Sequence, residues 1–503
     1  MTIANRFLSV FFAAALLTAC SGSTEITVVN QPVIRPQTAP DRPETGPTSE
    51  QTLLRIGETE MIYGLDPLLA QTNAGKRLSG LIYQGLTGLN ADGEVIPQLA
   101  QSWEVSDDSL VYTFRLHPEA SFHDSPRFID GRGRSVLASD VKASFDRMAY
   151  PTNPDMAASL FAPIIQGMEV FNNEQRQLHI ASQRSLSGIQ GIVAIDEQTV
   201  RFYLTEPQPQ FTYMLASPLA GIVPRELEST LAQHPVGSGP YRFQRRQSDT
   251  LYVLSYHESY WKDETETWPG RVEIRRYDSE TAILNALRRH DADIAPNLSP
   301  LARMTALGRD GQLKSDILPE FKMIATQGRD YLSIYANPAN RLGLNADQTG
   351  AVLNMLPADT LADRFSHLGL REVSRSLPAP SADFSRLRLE YAGQTGPVPT
   401  IIFFLNNYES FLARNIHQLA QDQLPVAMVR SGVISPEITW STQYTSNYEN
   451  LPVESALLPD EILRIAPTRI AVVHNKIQDL HFNTSPWWLN LEGVTLNTTT
   501  PVP

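Results

Sequence analysis

One cysteine in 503 residues, Cys20, removes every intramolecular disulfide from the options open to this chain. Whatever folds must be held by buried apolar cores, because a disulfide scaffold needs pairs. The supply is ample: 42% of the residues are hydrophobic, and the length suits two or three lobes. The position of that cysteine constrains the chain further. It closes Leu17-Thr18-Ala19-Cys20, directly behind an apolar run at residues 7–17 that is too short to span a bilayer as a mature helix. Arg6 supplies a basic flank in front of the run.

A basic start, a short apolar run and small residues before a cysteine are similar to a bacterial lipoprotein signal. There the cysteine sulfur takes a diacylglyceryl group and becomes the new N-terminus. The resemblance implies a signal peptide over 1–19, export, and a membrane anchored through lipid on Cys20. Residues 31–51 carry Pro32, Pro36, Pro40, Pro43 and Pro47 among polar residues. Such a stretch buries no core and predicts a tether, together with Cys20 covering 20–51, that reaches on the order of 30 Å. The formal net charge is −13 with no basic cluster beyond the leader, which argues against nucleic acid as a partner. His123, His474 and His481 are scattered and no Cys/His set has zinc spacing, so neither a metal nor a cofactor is expected. No Gly-x-Ser-x-Gly elbow and no metal-ligand helix appears, so no enzyme is expected either.

The folded body is expected to open with a strand at Leu53-Leu54-Arg55-Ile56. Trp103-Glu104-Val105 and Val111-Tyr112-Thr113-Phe114-Arg115-Leu116 flank the polar turn Ser106-Asp107-Asp108-Ser109 and read as a hairpin. Ser139 suits the N-cap of a helix over 141–148, with Val141, Phe145 and Met148 on one face. Strands are predicted at 200–204, 251–254 and 272–276, and a helix from Ser279-Glu280 with Ile283, Leu284 and Leu287 inward. A strand at 400–405, a helix carrying Phe411, Leu412, Ile416 and Leu419, and a strand at 425–429 predict a βαβ unit with parallel pairing. The fold class is α/β.

The most specific internal segment is His234-Pro235-Val236-Gly237-Ser238-Gly239-Pro240-Tyr241. Its Gly-Ser-Gly turn lets backbone approach where side chains would clash, and no Gly-Lys-Ser/Thr follows to complete a phosphate site. In order along the chain stand Gly64-Leu65-Asp66-Pro67, Ile82-Tyr83-Gln84-Gly85-Leu86, and Pro97-Gln98-Leu99-Ala100-Gln101-Ser102-Trp103. Phe122-His123-Asp124, Ala138-Ser139-Asp140-Val141, Thr205-Glu206-Pro207 and Tyr260-Trp261 follow. Over roughly residues 53–300 this series resembles the family 5 extracellular solute-binding proteins, the peptide- and nickel-binding components of ABC importers. The family's Gly-Ser-Gly turn leads into a strand, and a structural role is expected for it here. The last third departs: Asn345 is not followed by the family's Arg-Gln pair, and Trp440-Ser441-Thr442-Gln443-Tyr444 carries Gln443 at the position of the acid that meets a peptide's ammonium.

The resemblance implies a type II periplasmic binding protein-like fold of three lobes, a discontinuous first lobe, and a hinged ligand cleft. The boundaries it implies are 52–83, 207–310 and 481–503 for the first lobe, 84–206 for the second and 311–480 for the third. It also implies a small-molecule or peptide ligand, ABC permease subunits as partners, a monomer, and a body in the periplasm or outside the cell. Ligand contacts are expected from Gln71, Thr72, Asn73 and Asn297 on the first lobe, and from Arg430, Trp440, Gln443 and Tyr444 on the third. The altered third lobe leaves an alternative, a surface lipoprotein that keeps the fold but serves as an interaction or sensory module.

Overall fold

The computed structural model describes residues 52–497, except 179, 263–266, 309, 316–317, 328–331, 337–369, 376–399, 404–426, 431–437, 442–460 and 484. The leader, Cys20, the proline-rich stretch, Asn345 and the helix expected around Phe411 lie outside the described residues.

The opening strand Leu53–Glu58 sits inside its sheet, paired on both edges with strands that run parallel to it. Ile56 stands opposite Ile294 on one side and Ile274 on the other. Across this part the strand order is Glu461–His474, Ile294–Ala295, Leu53–Glu58, Arg271–Arg276, Leu251–Tyr256, Tyr241–Ser248. Helix Glu280–Arg288 is the crossover between two of the parallel strands, and it starts as expected: the Ser279 side chain accepts from the Ala282 N–H. Alternation along the strands then divides two cores. Ile294 and Val473 pack with Leu54, Ile56 and Leu78 of helix Asn73–Ile82, whereas Ala295 and Val472 pack with Ile283, Leu284 and Leu287. Helices therefore cover both faces.

The strand Glu461–His474 runs on beyond this sheet. Its second half pairs with Phe321–Gln327 and its first half with Leu332–Ala336 and Leu370–Arg375. Thr400–Phe403 pairs in parallel with Ala427–Arg430, the pairing the βαβ reading requires, and also in parallel with Ile438–Ser441.

A second, antiparallel sheet takes the order Ala100–Val105, Val111–Leu116, Thr199–Tyr203, Ile192–Ala194. The predicted hairpin is its edge, turned by Ser109 at φ 58° and by Ser106 Oγ donating to Asp108 at 2.5 Å. Phe114, Phe145, Phe161, Phe202 and Phe211 fill the core beneath, meeting edge to face at 5.2–5.7 Å. Each such pair contributes about 1 kcal/mol beyond the area it buries. Phe211, Leu227 and Val236, expected in the first lobe, pack in this second core.

One helix start differs from expectation. Helix Ala138–Asp146 begins before Ser139, with Leu137 as its N-cap. The Leu137 N–H donates to the Asp140 carboxylate at 2.9 Å, and Arg134 grips that carboxylate at 2.7 and 2.8 Å. The acid, not the serine hydroxyl, thus organises the first turn. Val141, Phe145 and Met148 are fully buried, as their spacing requires.

The Gly-Ser-Gly turn has the structural role expected of it. A Cβ on Gly237 would lie 2.0 Å from the Ile82 carbonyl oxygen, and one on Gly239 would lie 2.6 Å from that of Leu81. His123 locks the turn from the other side. Its Nε2–H donates to the Gly239 carbonyl at 2.7 Å, and its Nδ1 accepts from the Gly237 N–H at 3.3 Å. Burial, reinforced by His257 and Arg242, pushes the imidazole pKa down to about 3, so the ring is neutral.

Candidate functional site

The loop after the opening strand is shaped by the needs of the helix it feeds. A helix start leaves amide donors unpaired. Glu60 answers two donors here, accepting from Asn73 Nδ2 at 3.1 Å and from the Ala74 N–H at 3.0 Å. Thr72 is the N-cap: its Oγ1 accepts from the Gly75 N–H at 3.0 Å and donates to the Met61 carbonyl at 2.6 Å. One turn on, buried Arg77 pairs with buried Glu58 at 2.6 Å. It also donates to the carbonyls of Pro486 at 3.1 Å and Trp487 at 3.2 Å. Asn297 Nδ2 donates to that same Pro486 carbonyl at 3.2 Å.

The first-lobe candidates therefore share one rim, linked through Arg77 and Pro486. Their roles within it differ. Thr72, Asn73 and Asn297 bond to the protein itself, whereas the half-buried Gln71 side chain makes no hydrogen bond among the described residues. In the same loop Met61 and Tyr63 are 48% and 60% exposed. Of the remaining candidates, Arg430 stands opposite Phe403 and Trp440 opposite Ile334 in the strand ladders. Gln443 and Tyr444 lie outside the described residues.

Two buried ion pairs support the rim. Burial raises the Glu58 carboxyl above its ordinary range and Arg77 opposes that shift. Asp66 accepts from Arg147 at 3.1 Å and from the Leu68 N–H at 2.9 Å. Because Arg147 follows the helix on the second sheet, this pair bolts the loop to the second core. Tyr83 lies nearby, its hydroxyl buried without a partner among the described residues, and burial pushes its pKa well above the ordinary value. A separate groove of about 620 Å³ is lined by residues outside this rim, including Gln98, His117, Glu119, Trp261 and Lys262. There His117 already packs on Trp261, with ring centres 4.9 Å apart.

Glu58, Glu60 and Arg77 escaped the sequence reading. A signal for Arg77 existed: it falls on the same helix face as Ala74, Leu78 and Leu81, an apolar stripe where a cation needs a buried partner.

The sequence model described as "Bacterial extracellular solute-binding proteins, family 5 Middle" matches residues 94–345. "Di/tripeptide-binding protein 2" of Pseudomonas aeruginosa (strain UCBPP-PA14) is 32% identical over 251 residues, 46% of this chain and 41% of that protein. "Glutathione-binding protein GsiB" of Pectobacterium atrosepticum is 29% identical over 218 residues, 42% of this chain and 36% of that protein. The chain thus spans about two fifths of the length of these curated relatives. Solved structures align far more widely. HbpA2 from Haemophilus parasuis gives a TM-score of 0.66 at 17% identity, covering 88% of this chain and 99% of that one. The Escherichia coli murein tripeptide binding protein MppA gives 0.64 at 14% identity, covering 89% and 99%. The fold is that of the type II periplasmic binding proteins. With half of its length matched by the family model and this fold over most of the rest, the chain belongs to the bacterial extracellular solute-binding proteins, family 5.

Proposed function

We propose that the chain is the substrate-binding lipoprotein of an ABC importer, capturing a peptide-like small solute and delivering it to a membrane permease. Family membership carries this reading, and the rim around helix Asn73–Ile82 is consistent with it. Gln71, Met61 and Tyr63 offer polar, apolar and aromatic side chains, while Thr72 and Asn297 hold backbone carbonyls and Asn73 holds the Glu60 carboxylate. Arg430, Trp440, Gln443 and Tyr444 act from the facing lobe, and Gln443 favours a ligand without a free ammonium at that point, since a neutral amide supplies no charge. The first and third lobes close over the ligand by hinge bending. The packing of Phe321 and Val472 with Leu284 supports a third lobe that leaves the first near residue 327 and returns near 468, inside the expected 311–480. Cys20 carries the lipid, and the body works as a monomer outside the cytoplasm.

The test is calorimetric titration of the purified protein with free and N-blocked dipeptides and tripeptides, opines and glutathione. Saturable binding that Trp440→Ala or Gln443→Ala weakens about tenfold or more supports the reading. Binding that neither substitution changes removes the facing-lobe assignment. No binding across the panel by the folded protein favours the alternative, an interaction or sensory module on the same fold.

A further inference from the structure

Three side chains far apart in the chain converge at one end of the first sheet. His474 Nε2 lies 3.5 Å and His290 Nε2 3.6 Å from the same Glu320 Oε2. One donor atom from each of the three residues lies within 4.8 Å of the other two. All three positions are fixed by backbone bonds. His290 closes helix Glu280–Arg288 in a Schellman motif at φ 56°, its N–H bonded to the Leu287 carbonyl and that of Asp291 to Ala286. The His474 N–H donates to the Asp293 carbonyl, and the Asn475 N–H to that of Glu320. Phe321 forms an apolar floor, its ring centre 4.9 Å from that of His474 and 6.5 Å from that of His290.

Both carboxylate–imidazole separations lie within ion-pair range but beyond the usual length of a hydrogen bond. They also fit a second geometry. In a tetrahedron with metal–ligand bonds of about 2.0–2.1 Å, neighbouring ligand atoms stand roughly 3.3 Å apart. We propose that His290, Glu320 and His474 form a site for a divalent transition-metal ion of the Zn²⁺ or Ni²⁺ kind. Two imidazoles and one carboxylate are the donors such ions take in preference to the oxygen-only sets of Ca²⁺ and Mg²⁺. Three protein ligands leave a position for water. The neighbouring cation is already matched, since Lys476 Nζ pairs with Asp293 at 2.6 Å. One local bond opposes loading. His474 Nδ1 accepts from the Lys476 N–H at 3.0 Å, which keeps the ring proton on Nε2. Metal at Nε2 sends that proton to Nδ1 and releases the Lys476 amide to water, which lowers the affinity. The bound ion ties the end of helix Glu280–Arg288 to the start of strand Phe321–Gln327 and the end of strand Glu461–His474.

The experiment is calorimetric titration of the tag-free protein with ZnCl₂ and, separately, NiCl₂, with the absorption spectrum of the Co²⁺ form recorded alongside. One equivalent should bind with micromolar affinity, and Co²⁺ should give tetrahedral or five-coordinate d–d bands. Glu320→Gln and His290→Asn, the latter keeping a residue that tolerates the left-handed backbone, should each weaken binding about tenfold or more. Their metal-free melting temperatures should match the parent, separating lost ligation from lost folding. Absence of one-to-one binding below millimolar metal overturns the site. So does an affinity unchanged in both variants, which would put the ion elsewhere.

Discussion

Acidification should loosen the knot between His123 and the Gly-Ser-Gly turn, and the size of the effect follows from the geometry. In the folded protein the imidazole is buried and pushed down to about pKa 3, whereas its ordinary value is 6.5. A folded pKa below the unfolded one means that unfolding takes up a proton. The stabilisation is therefore complete above about pH 6.5 and drains away as the pH falls toward about 3. Between about pH 7.5 and about pH 5, the unfolded ring gains most of a proton and the folded ring almost none. That difference costs roughly 2 kcal/mol, at about 1.4 kcal/mol per pH unit. This is a large share of the roughly 5–15 kcal/mol that holds a typical protein folded. Urea unfolding should be followed at both pH values by tryptophan fluorescence, since Trp261 Nε1–H donates to the Ser238 carbonyl inside the turn at 3.2 Å. His123→Gln, which keeps a donor for Gly239 but does not titrate, should lower stability at neutral pH yet remove about 2 kcal/mol of the pH dependence. An unchanged pH dependence in the variant, or an imidazole that titrates near pH 6 by NMR, would refute the reasoning.

Three further outcomes follow from the same packing. Gly237→Ala should cost about 3 kcal/mol or more by urea denaturation, because its Cβ meets the Ile82 carbonyl oxygen at 2.0 Å and backbone yields less readily than a side chain. A loss under about 1 kcal/mol would mean the turn is free to shift. Glu58→Gln should cost roughly 3–5 kcal/mol, since it leaves the Arg77 guanidinium buried without its anion; differential scanning calorimetry reads this directly. Tyr83→Phe should stabilise by about 1 kcal/mol, because the hydroxyl it removes is buried with no partner among the described residues. A destabilised Phe variant would reveal a bond to an ordered water.

Local patterns in the sequence were sufficient wherever one segment met its own neighbours. Alternation in Val111–Leu116 specifies a half-buried strand, and the polar turn before it specifies the partner. Ser279 could be read as a cap because the hydroxyl and the amide it serves are three residues apart. Ser139 misled for the same local reason, since a nearby acid with an arginine behind it outcompeted the hydroxyl. The site depends on contacts that no window contains. Its sequence position makes Asn73 a ligand candidate, and its use by Glu60 needs the loop between them to fold back. His474 stands scattered in the sequence because Glu320 reaches it only after the strand ladder has set its register.

The hold of Arg77 on the Pro486 and Trp487 carbonyls also bears on the order in which the protein matures. The core around Leu54 draws Ala471, Val473, Ile477, Leu480, Leu491 and Val494 from the far end of the chain. While synthesis proceeds, the growing polypeptide lacks that wall, and Arg77 has no carbonyls to serve. A segment that ends before these residues therefore leaves the opening strand without one wall of its core.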